Sequence, residues 1–118
     1  MKAISLHQPW ASMIASGEKT IETRRWATSY RGKLLICSTK KPLLAGLCCG
    51  YALCVVTLWD CLPMRKDHEE AACCELYDGA YAWFLKDVRQ LLPFTVRGMQ
   101  RFYEVDDCHI QRLLLQNF

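Results

Sequence analysis

Three side chains that can do chemistry, Lys19, Glu22 and Arg24, lie close together in the sequence. Residues 20–24 alternate as a strand does, which predicts that Glu22 and Arg24 share one face. A lysine ammonium can bind phosphate as a point charge, or act as a general base where burial lowers its pKa. A carboxylate beside a guanidinium can form a structural pair, or contact a base edge while the arginine binds phosphate. The cluster predicts an anion or nucleotide site, with a structural ion pair as the alternative.

Polar and aromatic residues around this strand add candidate ligand contacts. Gln8 could hydrogen-bond a base edge or cap the helix that follows it. Arg25 offers a second guanidinium for phosphate beside Arg24. The indole faces of Trp10 and Trp26 can stack on a base, although the helical spacing of Trp10 from two apolar residues favours a core position.

A helix and several short strands are predicted to position these residues. Pro9 suits the first turn of a helix that Gly17 ends. Strands are predicted at 3–6, 20–24, 34–38, 51–61, 81–85 and 101–105, and helices at 9–17, 65–76 and 107–117. Because strands outnumber helices and no βαβ rhythm is present, we expect an α+β fold, a small, mostly antiparallel barrel with two or three flanking helices.

Length and charge restrict the class of protein. The 118 residues suit one domain, and 52% hydrophobic with 23% charged residues is a globular composition. The net charge of +3 is too small to imply a polyanion partner by itself. Residues 1–41 nevertheless carry eight basic and two acidic side chains, against seven and ten in residues 42–118. The first third is therefore predicted to present a positive field that attracts phosphate.

Cysteine usage and hydropathy predict a cytoplasmic protein without a membrane partner. Eight cysteines are present, but no signal-peptide pattern precedes Pro9, so we expect free thiols in a reducing compartment. Residues 42–59 hold no charge and meet the crude length rule for a membrane span. Pro42, Gly46 and Gly50 divide the segment into a turn-like piece and a β-branched piece, which favours a buried strand.

Other common chemistries lack a signature. His68 and Cys73, or the Cys108-His109 pair, have no spacing typical of zinc sites, so no metal is predicted. The sequence contains no phosphate-binding glycine loop, which leaves no cofactor to predict. Residues 65–76 are rich in carboxylates and are interpreted as a solvated acidic surface.

Several motifs along the chain together match one known domain family. The first are Ile4–Ser12, which reads ISLHQPWAS, and Gly17–Arg24, which reads GEKTIETR, followed by Trp26. Segments 30–36, 56–61, 81–83 and 93–105 follow in the order of that family. In these motifs the chain closely resembles ASCH domains, a PUA-like family of small β-barrels. The resemblance implies an ASCH domain at residues 1–106, and residues 107–118 are predicted to form a helical extension.

Two functions follow from this resemblance. ASCH domains resemble RNA-binding PUA relatives, which implies a cleft for RNA, single-stranded nucleic acid or a modified nucleoside beside the first helix. One small branch deacylates N4-acetylcytidine with a lysine, a threonine and a glutamate. Lys19 matches that lysine, but Glu22 occupies the position of the threonine, and Thr23 is predicted on the opposite strand face. Asp60 is a candidate for the acidic partner.

The sequence therefore predicts a cytoplasmic binding module that holds a nucleic acid or nucleotide ligand in a basic cleft. The predicted ligand-binding residues are Gln8, Trp10, Lys19, Glu22, Arg24, Arg25 and Trp26. The alternative is a small amidohydrolase for an acylated nucleoside, in which Glu22 is the base toward water and Lys19 stabilises charge. A third possibility is an interaction domain with a vestigial cleft.

Overall fold

The computed structural model describes residues 1–115, apart from the side chain of His109. A short 3-10 helix at Lys66–His68 precedes the second α-helix. The strands and α-helices run in the order β1 Lys2–Leu6, α1 Trp10–Ala15, β2 Ile21–Arg24, β3 Gly32–Ser38, β4 Tyr51–Pro63, α2 Glu69–Ala72, β5 Tyr81–Thr95, β6 Tyr103–Glu104 and α3 Asp107–Leu113.

The strands form one open mixed sheet in the order β2-β5-β4-β3-β1-β6. β1 pairs with β3 in parallel, and the remaining neighbours pair antiparallel. The predicted α+β class is confirmed, but the predicted mostly antiparallel barrel is an overstatement, because the sheet is mixed and does not close. The two edge strands, β2 and β6, have only four and two residues. Within the part of the chain that the structure describes, they do not pair with each other, so the sheet remains open.

Two hydrophobic cores lie on the two faces of β3. Successive residues of a strand point to opposite faces, so Leu34 and Ile36 pack in the core that contains Ile14 of α1. Leu35 packs in the second core, together with Ile110 of α3. This burial on both faces explains why the sequence of β3 is a continuous apolar run rather than an alternating one.

β5 is much longer than the predicted strand at 81–85 because it pairs with β4 along almost its whole length. Pro93 lies beyond the predicted strand but inside β5. The register between the two strands shifts between Ala52 and Cys54, and their partners Phe94 and Gln90 are separated by three residues. The proline therefore falls at an irregularity, where its missing N–H costs no regular ladder bond.

The helices are shorter than predicted. Instead of a helix over residues 65–76, the chain forms the 3-10 helix and the four residues of α2. Cys73 then adopts a left-handed conformation, with φ of +56°, and ends α2. Such a residue terminates a helix because the chain can no longer continue the right-handed spiral.

α3 begins where the side chain of Asp106 accepts a hydrogen bond from the Cys108 N–H at 2.9 Å, which is an N-cap. It ends at Leu113 rather than at residue 117, and residues 116–118 lie outside the described residues. The division into a domain at 1–106 and an extension at 107–118 stays a prediction. Among the described residues, no helix has the length and hydrophobicity needed to cross a bilayer.

Candidate functional site

Gly17 turns the chain from α1 toward β2 and thereby directs Lys19 into the site. Its φ of +84° lies in the left-handed region, which glycine adopts without side-chain strain. The Lys19 N–H donates to the Met13 carbonyl at 3.0 Å and closes the turn. The Thr20 N–H donates to the Ala71 carbonyl at 3.0 Å, which ties this segment to α2. Lys19 is therefore held between two helices.

Lys19, Glu22 and Arg24 form one ion network at the edge of the sheet. Lys19 is 2% exposed and Glu22 is 7% exposed. Lys19 Nζ lies 3.6 Å from Glu22 Oε1 and also donates to the Ala72 carbonyl at the end of α2. Arg24 Nε donates to Glu22 Oε2 at 3.0 Å, while the Thr23 N–H donates to Oε1 at 3.0 Å. The carboxylate therefore interacts with two cations.

Arg24 also spans the gap between β2 and β1, two strands that are not neighbours in the sheet. One of its terminal nitrogens, Nη2, donates to the Ser5 carbonyl at 2.9 Å. These contacts use two of the five guanidinium N–H groups, and the side chain is 20% exposed. Among the described residues the remaining donors have no hydrogen-bond partner, so they can bind an anionic ligand.

Ser5, whose carbonyl accepts from Arg24, makes a second contact through its side chain. Ser5 Oγ lies 2.6 Å from Tyr103 Oη, which belongs to the neighbouring strand β6. Burial raises the pKa of Tyr103, so the phenol stays neutral and keeps a proton for hydrogen bonding. β6 thus supports the position of Ser5 at the site.

A cavity of about 330 Å³ lies beside the ion network. Its volume is within the range of small-molecule sites, about 300–1,000 Å³. The cavity is lined by Ser5, Leu6, His7, Trp10, Lys19, Glu22, Thr23, Arg24, Thr39, Cys74 and Tyr77. Two of these side chains are cationic and one is anionic, so the lining has a formal charge of +1 with neutral histidine. This balance favours an anionic ligand.

His7 also lines the cavity, and the hydrogen bonds of Thr39 indicate which nitrogen of its neutral ring carries the proton. Thr39 Oγ1 donates its single hydroxyl proton to the Lys41 carbonyl at 2.8 Å. The same oxygen lies 2.8 Å from His7 Nδ1 and must therefore accept from it. In the neutral ring, Nε2 is left as a hydrogen-bond acceptor. The lining residues thus include a hydrogen-bond acceptor, His7, as well as a donor, Arg24.

Two aromatic residues, Trp10 and Tyr77, line the same cavity. Trp10 is 39% exposed, so the prediction of a core position from its helical spacing is wrong. Arg25 is exposed and does not line the cavity. Its guanidinium lies 5.0 Å from the centre of the Tyr77 ring and donates to the Asp78 carbonyl at 3.1 Å. Arg25 therefore supports the aromatic wall from outside.

Gln8 lies outside the cavity lining, is 2% exposed, and has its amide engaged on both sides. Its Oε1 accepts from the Ser12 N–H at 2.9 Å, so the side chain bonds the first turns of α1. Its Nε2 donates to the Ser12 hydroxyl at 2.8 Å and to the Cys48 carbonyl at 2.7 Å. These contacts fit the capping alternative and join α1 to the loop before β4.

Trp26 also lies outside the cavity lining. Its ring packs edge-to-face against Trp83, with centroids 4.7 Å apart, and against Phe102 at 5.3 Å. The Arg101 guanidinium lies 4.3 Å from the ring centre. The Trp26 ring is therefore packed among Trp83, Phe102 and Arg101. The structure thus brings Trp10, but not Trp26, to the ion network.

The two residues considered as hydrolase partners have different places. Thr23 lines the cavity beside Glu22, although alternation predicted the opposite face, and its Oγ1 lies 3.7 Å from Cys74 Sγ. Asp60 lies elsewhere, 3.6 Å from Arg31, and does not line the cavity. The carboxylate within the cavity is that of Glu22.

Besides the apolar Leu6, five lining residues were not predicted from the sequence: Ser5, His7, Thr39, Cys74 and Tyr77. His7 and Ser5 are part of the first motif and could have been selected for their polar side chains. The other three come from segments distant in sequence, and only the tertiary fold brings them to β2.

The cysteines do not add a metal centre to the described part of the chain. All eight thiols are free. Burial raises the pKa of Cys37 to about 11 and that of Cys54 to about 12, so these two are protonated core residues. Within residues 1–115, the His109 side chain excepted, no three His, Cys, Asp or Glu side chains are grouped to hold a metal ion.

Comparison with solved structures supports the fold. The ASCH protein from Zymomonas mobilis superposes with a TM-score of 0.72, covering 98% of this chain and 96% of that chain at 18% identity. A variant of that protein superposes with a TM-score of 0.67 and 94% coverage of both chains. At this level of identity the likeness concerns the fold alone.

Sequence comparison identifies the family. Activating signal cointegrator 1 is 28% identical to this chain in mouse and 29% identical in human. Both alignments cover 87% of this chain. The matched region spans only 22% of those relatives. The family model described as the ASCH domain matches residues 4–95. The chain therefore belongs to the ASCH domain family.

Proposed function

We propose that this ASCH domain binds a nucleic acid, or a nucleotide, through the cavity at Lys19, Glu22 and Arg24. The observation that carries the proposal is the unused guanidinium donors of Arg24 in a cavity with an exposed indole. Guanidinium groups bind phosphate oxygens, and indole faces stack on bases. Membership of the ASCH family supports a nucleic-acid partner. Eight free cysteines favour a cytoplasmic location.

The cavity residues divide the work of recognition in this proposal. Arg24 binds a phosphate and Trp10 stacks on the attached base. Glu22 Oε2 accepts one hydrogen bond from Arg24 and retains capacity for an N–H of the base. Lys19 is almost fully buried, so it has little surface for direct contact with the ligand. Its ammonium instead holds Glu22 in place and contributes positive potential.

The other three predicted ligand-binding residues lie outside the cavity lining and act indirectly. Gln8 holds the N-terminal end of α1, which carries Trp10. Arg25 stacks on Tyr77, and Trp26 packs against the aromatic cluster beside β5. We propose that these three residues position the cavity wall and do not touch the ligand.

Fluorescence anisotropy with a labelled single-stranded RNA, recorded from 50 to 300 mM salt, tests the proposal. Arg24→Gln should weaken binding about tenfold because it removes a charged phosphate contact, and Trp10→Ala should weaken it by about 1–3 kcal/mol through lost stacking. Arg25→Gln should have less than a threefold effect. Arg89→Gln is the matched control, since Arg89 is exposed and lies outside the cavity.

Absence of RNA and nucleotide binding at low salt would contradict the proposal. So would equal losses for Arg24→Gln and Arg89→Gln, because general attraction to a basic protein would then explain the affinity. Circular dichroism and thermal melts of each variant separate lost binding from lost folding.

A hydrolase acting on an acylated nucleoside is the second candidate, favoured by the Lys19–Glu22 pair in the cavity. In this reaction Glu22 would take a proton from water while the water oxygen adds to the acyl carbon. Glu22 would then return that proton to the leaving N4 nitrogen as the carbon–nitrogen bond breaks, which releases cytidine and acetate. Both carboxylate oxygens already accept hydrogen bonds, which reduces their capacity to take that proton. Incubation with N4-acetylcytidine tests it, and turnover no greater than that of Glu22→Ala contradicts it.

A further inference from the structure

The candidate cavity adjoins two further spaces through shared lining residues. Ser5 and Thr39 line both the 330 Å³ cavity and a neighbouring space of about 440 Å³. That space in turn shares Lys40, Gly50 and Arg97 with a groove of about 890 Å³. We call the two spaces next to the cavity, of about 440 and 890 Å³, the long groove.

The long groove beyond the cavity is bordered by three exposed cations, Lys40, Lys41 and Arg97. Within residues 1–115, none of them forms an ion pair with a carboxylate. No described Asp or Glu lines these two spaces. Glu104 and Asp106 line the next cavity beyond Arg97, so the cationic path ends there.

Two glycines of the long groove pack closely against neighbouring side chains. A Cβ added to Gly98 would lie 2.8 Å from Ser5 Oγ, so the loop after β5 passes directly over Ser5. A Cβ added to Gly50 would lie 2.8 Å from Lys40 Cγ. The loop that carries Arg97 therefore lies against Ser5, and Gly50 lies against the Lys40 side chain.

We propose that the ligand is a continuous single strand of nucleic acid, with one nucleotide in the cavity and the adjoining phosphates along Lys40, Lys41 and Arg97. This inference rests on the proposed function and specifies its ligand. A free mononucleotide would occupy the cavity and leave these three cations without partners. A single strand supplies successive phosphates and can place one unstacked base in the cavity, which a duplex cannot do without disruption.

Affinities for a 5′-mononucleotide and for a ten-nucleotide single strand, measured with the full chain, test the inference. The triple variant Lys40→Gln, Lys41→Gln, Arg97→Gln should bind the strand at least tenfold more weakly at 100 mM salt. Each phosphate contact on a single strand contributes about 0.7 to the slope of log K against log salt, so the slope should fall by about 2. Mononucleotide affinity should change less than twofold.

The matched control removes three other exposed positive charges, through Lys33→Gln, Lys66→Gln and Arg89→Gln. None of these residues lines the cavity or the long groove. The control should bind the strand within threefold of the unchanged protein. Equal losses in the two triple variants would overturn the inference, because net charge alone would then explain the binding.

Further outcomes separate this inference from the proposed function. Mononucleotide binding as tight as strand binding would overturn the strand inference and leave the cavity function intact. Equal affinity for a duplex, or competition by an acidic peptide in place of the strand, would also overturn it. Failure of both nucleotide probes to bind would contradict the proposed function itself.

Discussion

Replacing Glu22 with glutamine tests the ion network through protein stability. At the 3.6 Å separation of Lys19 Nζ and Glu22 Oε1, the attraction of unit charges is about 5 kcal/mol for an effective dielectric constant of 20. Lys19 keeps its bond to the Ala72 carbonyl, and Arg24 is partly solvated. We therefore expect Glu22→Gln to lower the free energy of unfolding by about 3 kcal/mol, at the lower end of the range for breaking a buried ion pair.

Urea denaturation followed by tryptophan fluorescence measures this change. Glu18→Gln is the matched control, since Glu18 is an exposed carboxylate in the same turn, and it should cost less than about 0.5 kcal/mol. In a Lys19→Met background, Glu22→Gln should lower the free energy of unfolding by about 1 kcal/mol less than it does in the unchanged protein, because its partner is already absent. A loss under about 1 kcal/mol for Glu22→Gln, or the same loss in both backgrounds, would refute the ion-network interpretation.

Two other predictions concern stability. Because burial raises the pKa values of Cys37 to about 11 and Cys54 to about 12, the native state keeps these protons after unfolded thiols lose them. The free energy of unfolding should thus fall from about pH 9 upward, by up to 1.4 kcal/mol per pH unit for each thiol; an unchanged slope in Cys54→Ala contradicts this. Gly50→Ala should destabilise more than Gly46→Ala in urea melts, since both have positive φ but only the former meets Lys40; equal losses would argue against that contact.

Local sequence patterns predicted those elements of the fold whose signals are short-range. β1, β3 and the start of β4 follow apolar runs, and Gly17 ends α1 through its permitted φ. The length of β5 was not predictable from Pro93, because the irregular pairing that accommodates a proline depends on the partner strand. Closure of the sheet likewise depends on edge strands whose pairing is set by tertiary contacts.

The ion network of the candidate site was the most predictable part. Alternation along β2 places Glu22 and Arg24 together, and their contact at 3.0 Å follows from that spacing. Trp10 has apolar neighbours at helical spacing, yet its ring lies at the rim of the cavity, since periodicity cannot distinguish a core face from a ligand-facing edge. Tyr77 joins the site from a segment after α2, and no local pattern reports such an approach.

A crystal structure of the protein with a ten-nucleotide single strand is the most direct measurement of where the ligand binds. We expect a phosphate oxygen within about 3 Å of an Arg24 terminal nitrogen, one base against Trp10, and electron density for the strand continuing past Lys40. A strand bound on another face, with the cavity beside Lys19 and Glu22 free of nucleotide, would contradict the account.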